Sequence, residues 1–382
     1  MEALHTAIDT TPIIDHHAHN LLLPQHLEAH NLLSITSEAS GRALQNATST
    51  LAHIRAVQQL SEVLGCAATW DDVQAALVER RKESDDAWAK RCFEGIQTVL
   101  IDDGLDGSVV HPYQWHDRLT VTECKRIVRI EKVAETILAD LQHSSAENAD
   151  QELAQKWTRA FVDEIRNCVN DPDVVGFKSV ICYRTGLAIS LPEELRGIAH
   201  RSVVDGVFPS DDTMLLGKGE VLYEAVKDFT ESQSERLAHE ILSPYFLYLT
   251  AYILSASSQA GQVKPLQFHT GLGDNDINLS KSSPAHLQPF IEEFPLVPVV
   301  LLHAGYPFTK EGGYLASVYG NAYLDIGEVF PMVSQEGQEQ IIRESLELCP
   351  SEKLCWSTDG HWFPETYLLA VMQVKQAMKN VS

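Results

Sequence analysis

The sequence predicts an α/β fold, a (β/α)8 TIM barrel with a helical insertion after the first strand, and three observations carry that expectation. Short apolar, β-branched runs alternate with helical stretches along the chain. Eight such runs occur, at residues 12–19, 96–103, 126–132, 174–184, 265–270, 297–304, 322–329 and 353–359. Several of them finish on His or Asp. Alternating strand and helix signals mark βα units and a parallel sheet. A closed barrel needs roughly 250 residues, so the 382 present leave room for a long insertion. An open doubly wound sheet is the alternative, which periodicity does not exclude.

In chain order, the first run closes on IDHHAH at 14–19. Strand alternation puts His17 and His19 on one face, with Asp15 one layer lower and His16 pointing the other way. The stretch 20–94 reads as a helical insertion after this strand. Leu51, Ile54, Val57, Leu60 and Leu64 repeat at helical spacing. Thr69-Trp-Asp-Asp72 is a capping signal ahead of Val73 and Leu77. In a barrel this insertion lies over the C-terminal face, where it can close a site. After the second run, His111, His116 and Arg118 either reach substrate or begin a helix. The third run carries Glu131. The fourth places Lys178, Val180, Cys182 and Arg184 on one alternating face. The interval 186–264 predicts a loop near 209–219, then a helix over 221–253 broken at Pro244. The seventh run holds Asp325 and Glu328. With no internal repeat, low-complexity tract or Pro/Gly/Ser-rich linker, a single domain over 1–382 is expected.

Composition narrows the function. Apolar residues make up 44% and charged residues 21%, as in globular proteins able to bury a core. A net charge of −24 argues against a nucleic-acid partner and against anionic membranes. No apolar run reaches the roughly 18 residues of a membrane span. The N-terminus lacks the basic and apolar regions of a signal peptide. Seven cysteines without a C-x-x-C pair read as reduced, buried thiols of a cytoplasmic protein.

The chemistry concentrates at strand ends. H-x-H at 17–19 alone is a weak metal signal. QFHT (267–270), VVLLHAG (299–305) and LCWSTDG (354–360) add His269, His303 and Asp359, each after an apolar stretch. Catalytic groups of α/β barrels sit where the strands emerge. A buried, unpaired Asp359 is costly, and a cation compensates it, so a metal centre is expected. Arg184, nearer its strand end than Lys178, is the better candidate for a substrate carboxylate, which a guanidinium grips bidentately; a rim salt bridge is the plain alternative. Lys178 is expected to face a substrate anion or to form a structural ion pair. His361 is expected to line the mouth, and Trp356 and Trp362 to pack. Glu328, Asp325 and Glu131 either touch substrate or satisfy ion pairs within the barrel.

His-x-His on strand one, His on strands five and six and Asp on strand eight follow the order of the amidohydrolase superfamily, which the chain resembles over nearly its whole length. The carrying residues are DHHAHNLL (15–22), HPYQWHDR (111–118), GFKS (176–179) and LHAGYP (302–307). The chain is similar to the group holding aminocarboxymuconate-semialdehyde-type decarboxylases and small lactonases. It looks most like the N-terminal amidohydrolase half of FluG-type and nodulin–glutamine-synthetase fusion proteins. Because the chain stops about one helix after the eighth strand, the glutamine-synthetase half is expected to be absent. The resemblance implies His17, His19, His269 and Asp359 as metal ligands. His303 matches a position that moves protons and orients water in decarboxylase-like members, or binds a second ion in two-metal members; the first role is preferred. In some members a strand-four lysine is carbamylated and bridges two metals. That role stays open for Lys178, although the strand-like residues after it argue that it sits too deep.

One divalent ion is expected, zinc first, with manganese, iron or a second ion as alternatives. The expected reaction is hydrolysis of an amide, lactone or related C–N/C–O bond in a small carboxylate-bearing substrate through metal-activated water. Asp359 would be ligand and base, and His303 would orient water or stabilise the oxyanion. The rivals are a non-oxidative decarboxylase on the same scaffold, a uronate-isomerase-like enzyme and a non-catalytic signalling or assembly module. A small-molecule substrate is the expected partner, with homo-oligomerisation open and the cytoplasm as the expected location.

Overall fold

The structure is a computed structural model that describes residues 1–83, 86–144, 150–208 and 219–382. Its eight strands are β1 (Ile13–Ala18), β2 (Ile96–Asp102), β3 (Lys125–Arg129), β4 (Val174–Ser179), β5 (Leu266–Phe268), β6 (Val299–Leu301), β7 (Ala322–Asp325) and β8 (Leu354–Cys355). All neighbours pair parallel, and spatial order equals sequence order. A doubly wound sheet reverses its strand order at a switch point; this sheet never does. The chain past β8 meets β1 through backbone bonds: Asp359 N–H donates to His17 O at 3.1 Å and His19 N–H to Gly360 O at 2.7 Å. The barrel seam therefore runs through the residues that carry the chemistry.

Short strands suffice because both their faces are covered. Helices pack outside and side chains fill the lumen, so every residue of β5 and β6 is buried. Outside the sheet, the helix Leu242–Gln259 adds Tyr245, Phe246, Leu249 and Leu254 to the main core.

Several boundaries depart from the sequence expectation. β3 ends at Arg129, and Glu131 stands in the first turn of the helix Ile130–Ser144. β4 ends at Ser179 and a 3-10 turn, Ile181–Tyr183, follows, so the alternation through Val180, Cys182 and Arg184 is broken. Glu328 lies beyond β7. The helix expected over 221–253 is two, Glu220–Glu231 and Leu242–Gln259. Pro244 falls in the first turn of the second, where a missing N–H is tolerated; the break precedes it. Of the loop expected near 209–219, residues 209–218 lie outside the described residues.

Between β1 and β2 the chain forms 3-10 turns and the helices Leu51–Leu64, Trp70–Arg80 and Ala87–Cys92. Thr69 Oγ1 accepts the Asp72 N–H at 3.2 Å, and Val73 and Leu77 are buried. In Leu51–Leu64 the buried face is Ala56, Val57, Leu60 and Leu64, while Leu51 and Ile54 stay exposed. These helices are tied to the one after β8, Pro364–Val381. There the wholly buried Glu365 accepts from Arg81 Nη2 at 3.0 Å and from Trp88 Nε1 at 2.7 Å. Glu365→Ala removes one partner of a buried pair and strands the other, which costs about 3 kcal/mol. The expected result is a lower urea midpoint with an unchanged metal content; an unchanged midpoint would show the pair to be dispensable.

Among the described residues, no helix is long and apolar enough to cross a membrane.

Candidate metal centre

At the C-terminal mouth of the barrel, strand ends deliver imidazoles and carboxylates to one place. His17 Nε2 lies 3.2 Å from Asp359 Oδ1 and 3.0 Å from Lys178 Nζ. His19 Nε2 is 3.5 Å from the same Asp359 oxygen. His303 Nδ1 approaches Glu328 Oε2 at 3.1 Å. The His269 ring sits 4.4 Å from His303 and 4.3 Å from Tyr183, centroid to centroid, with Nε2 directed at Leu272 O. The donors form three overlapping buried sets: His17, His303 and Asp359; His17, His19 and Asp102; His269, His303 and Glu328. The expected set of His17, His19, His269 and Asp359 is thus divided among clusters. His303 joins two of them, and Glu328 enters as a donor.

Local backbone geometry aims these groups. Eight non-glycine residues among those described have positive φ, and His303 (67°), Glu328 (54°) and Asp359 (51°) are three of them. A left-handed residue just past a strand turns the chain sharply and costs free energy, and such strain collects at functional sites. The β1 register shifts between Asp15 and Ala18. That bulge overturns simple alternation, which sent His16 outward. His16 Nε2 instead meets Asp325 Oδ1 at 2.9 Å, and Gln267 Nε2 donates to His16 O at 2.9 Å, both from strands across the lumen. Asp325 also accepts from His303 N–H at 3.0 Å and Ser357 Oγ at 3.1 Å. It braces the centre from below. Asp15 accepts from Thr358 N–H at 3.0 Å and from Thr358 Oγ1, fixing the residue next to Asp359. Burial pushes the Asp15 carboxyl up to about 7 against the hydrogen bonds from Thr358.

His19 is oriented from behind. Its Nδ1 lies 2.9 Å from Asp102 O, and the Asp102 carboxylate is forked by Arg129 at 2.7 and 3.1 Å. Burial works to raise the Asp102 carboxyl, but Arg129, His19 and Lys178 together hold it below the usual range. Asp102 and Arg129, a strand-end carboxylate and a half-hidden partner, were not singled out in the sequence; the only signal was the polar finish of the second run.

The donors suit a divalent cation. His17 Nδ1, both His303 ring nitrogens, Asp359 Oδ1 and Glu328 Oε2 are buried without an aligned hydrogen-bond partner. Burial, then the nearby Lys178, lowers His17 to about 4 and His269 well below its usual value; burial does the same to His303. Neutral imidazoles beside carboxylates are nitrogen and oxygen ligands with free lone pairs. Lys178, near the end of β4 and buried, has its ammonium destabilised by that burial. Lys178 does not sit too deep to reach the centre: its Nζ lies within hydrogen-bond distance of His17 Nε2.

The cavity above is lined by Lys178, Arg184, His361, Trp362, Glu38 and Tyr183, among others. Arg184 follows the 3-10 turn after β4, and His361 holds its Nδ1 2.8 Å from Asp359 O. Trp362, expected to pack, is at the rim and stacks on His30. Glu131 accepts from Ser179 Oγ at 2.6 Å and Val180 N–H at 3.0 Å, a brace at the end of β4 rather than a substrate contact. His116 accepts the Leu21 N–H at 3.1 Å, His111 stacks on Trp115, and the exposed Arg118 pairs with Asp86. All three support the loop. Gly273 is obligatory, because a Cβ there would overlap Tyr183 Oη and come 2.9 Å from His269 Nε2. Glu38, Asp274 and Arg236 carried no sequence signal, since only folding brings the insertion and the loop after β5 to one rim.

Comparison with known proteins agrees with this architecture. A sequence profile of the amidohydrolase family matches residues 264–371. The protein fluG of Emericella nidulans is 42% identical over the whole of this chain, which spans 43% of that curated relative's length. A protein from Lactobacillus casei assigned as a metal-dependent hydrolase superposes with a TM-score of 0.76 at 26% identity, over 98% of this chain and 89% of that one. A uronate isomerase from Thermotoga maritima, 11% identical, shares the fold with a TM-score of 0.55, over 99% and 89% of the two chains. The barrel order, the donors at its mouth and these likenesses make the chain a member of the amidohydrolase superfamily, in its FluG-like branch.

Proposed function

We propose that the protein hydrolyses an amide, lactone or related C–N/C–O bond of a small carboxylate-bearing substrate. The observation that carries this reading is the convergence of buried, unpartnered imidazole and carboxylate atoms at the barrel mouth. His17, His19, His269 and Asp359 would hold one divalent ion, zinc in our reading, with His303 and Glu328 adjoining. Such an ion, when bound, acidifies a water and polarises a carbonyl. Asp359 takes the water proton and returns it to the leaving group. His303, whose backbone N–H donates to Asp325, would orient the water or stabilise the oxyanion through its ring. Arg184 and Lys178 supply positive charge for the substrate carboxylate.

Metal analysis of the purified protein, followed by turnover in isotopically labelled water, tests this. Label in the product carboxyl supports hydrolysis. Release of CO2 without label replaces hydrolysis by decarboxylation on the same scaffold. A well-folded protein that binds no metal would favour a non-catalytic module.

A further inference from the structure

The cavity beside the donor cluster sorts its charges into two poles. Arg129, Arg184 and Arg236 stand together; Glu38, Asp274 and Asp359 form the other group. Most are already matched. Arg129 forks on Asp102, Arg236 pairs with Asp276 at 2.8 Å, and Asp274 accepts the Asp276 N–H at 2.8 Å. Arg184 and Glu38 are not. Among the described residues neither side chain makes an ion pair or hydrogen bond, and Arg184 Nε and Glu38 Oε1 are both buried. Leaving such an atom unsatisfied costs about 1–3 kcal/mol, more for a charged group. An unpaired guanidinium and an unpaired carboxyl in one cavity call for a ligand that matches both, the carboxyl releasing its proton to solvent as a cationic group arrives. Leu105, Val180, Tyr183 and Trp362 add apolar and aromatic wall to the same cavity.

We propose that this cavity takes a small zwitterion, whose carboxylate pairs with Arg184 and whose protonated amine pairs with Glu38. The proposal deepens the hydrolase reading and rests on it for which bond of the ligand is cut. Glu38 is positioned for the task by the segment after β1. Ser40 Oγ in that segment donates to Asn275 Oδ1 at 3.2 Å, holding it against the loop that carries Asp274. A cation in the metal centre takes up Asp359 but leaves Glu38 and Asp274 crowded. An ammonium group placed there relieves them.

The test is titration calorimetry of the protein, with and without added zinc, against ω-amino acids from glycine to 6-aminohexanoate, and against butyrate and butylamine. Zinc content is measured on every sample. One ω-amino acid should bind at least about 10-fold tighter than butyrate or butylamine, the worth of one added charged hydrogen bond. E38Q should weaken that ligand and butylamine by about 10-fold and spare butyrate; R184M should weaken it and butyrate and spare butylamine. The proposal is overturned if ω-amino acids bind no better than butyrate, or if E38Q affects every ligand alike. It is equally overturned if E38Q loses zinc, which would make Glu38 a metal ligand. Wild-type protein that binds the zwitterion but shows no zinc or turnover counts against the hydrolase reading alone.

Discussion

Asp359→Asn should leave a folded protein whose kcat/KM, measured at saturating metal, is about 1,000-fold below wild type, the range typical for loss of a general base. The substitution is nearly isosteric, and Asn tolerates the left-handed backbone that Asp359 adopts at φ 51°. The seam bond from residue 359 N–H to His17 O is a backbone contact and survives. What is lost is proton affinity. An amide oxygen can still face a cation, but it cannot take a proton from water and hand it on. The neighbouring carboxyls Glu328 and Glu38 are poor substitutes, since burial first and then Asp359 push each of them up. Turnover equal to wild type in this variant would remove Asp359 from the mechanism.

Chelation should lower the melting temperature by ~5 °C, because an ion present at 1,000 times its Kd stabilises the folded state by about 4 kcal/mol, and an unfolding entropy of about 2.1 cal/mol/K per residue makes each kcal/mol worth about 1.2 °C in a chain of 382 residues. The centre explains why. Its carboxyl groups, Asp359, Glu328 and Glu38, stand close enough to repel one another, and a cation would relieve that repulsion. The metal-free form should also respond to pH with a definite sign. Burial first, then Asp359 and Asp274, raise the Glu38 carboxyl to about 8 from its ordinary 4.5. Above about pH 6.5 His17, His269 and His303 are neutral in the folded and the unfolded chain alike, while the folded protein keeps a Glu38 proton that the unfolded chain has released, so stability falls as pH rises from there to about 8. Restoring the metal should flatten that slope, since a cation beside Asp359 removes one of the repelling charges. Calorimetric scans across that pH window, with and without chelator, measure both effects. A chelator-insensitive Tm would sink the metal centre as a structural element of the fold.

Several of these residues were legible before any coordinates. His17 and His19 follow from period-two spacing, and His269, His303 and Asp359 from polar residues closing apolar runs. A barrel strand is buried on both faces until it emerges, so the first polar side chain at its end has to face the mouth or solvent. The helical segments were legible in the same way, down to the Thr69 cap. Less could be read where one residue of slippage changes a face. The bulge in β1 turned His16 into the lumen, and the early end of β4 moved Lys178 to the rim and took Arg184 off the strand.

The eight-run order and the polar residues closing the runs were readable from the chain alone, because they rest on local periodicity and spacing; the superfamily came from the resemblance carried by motifs such as DHHAHNLL and LHAGYP. Only the tertiary structure decided which donors share a cluster, that Asp102 and Arg129 stand behind His19, and that Glu38 and Asp274 meet over the cavity. Those arrangements depend on the crossing of segments far apart in the chain, on a register shift and on left-handed turns, and no local pattern encodes the sum of the three.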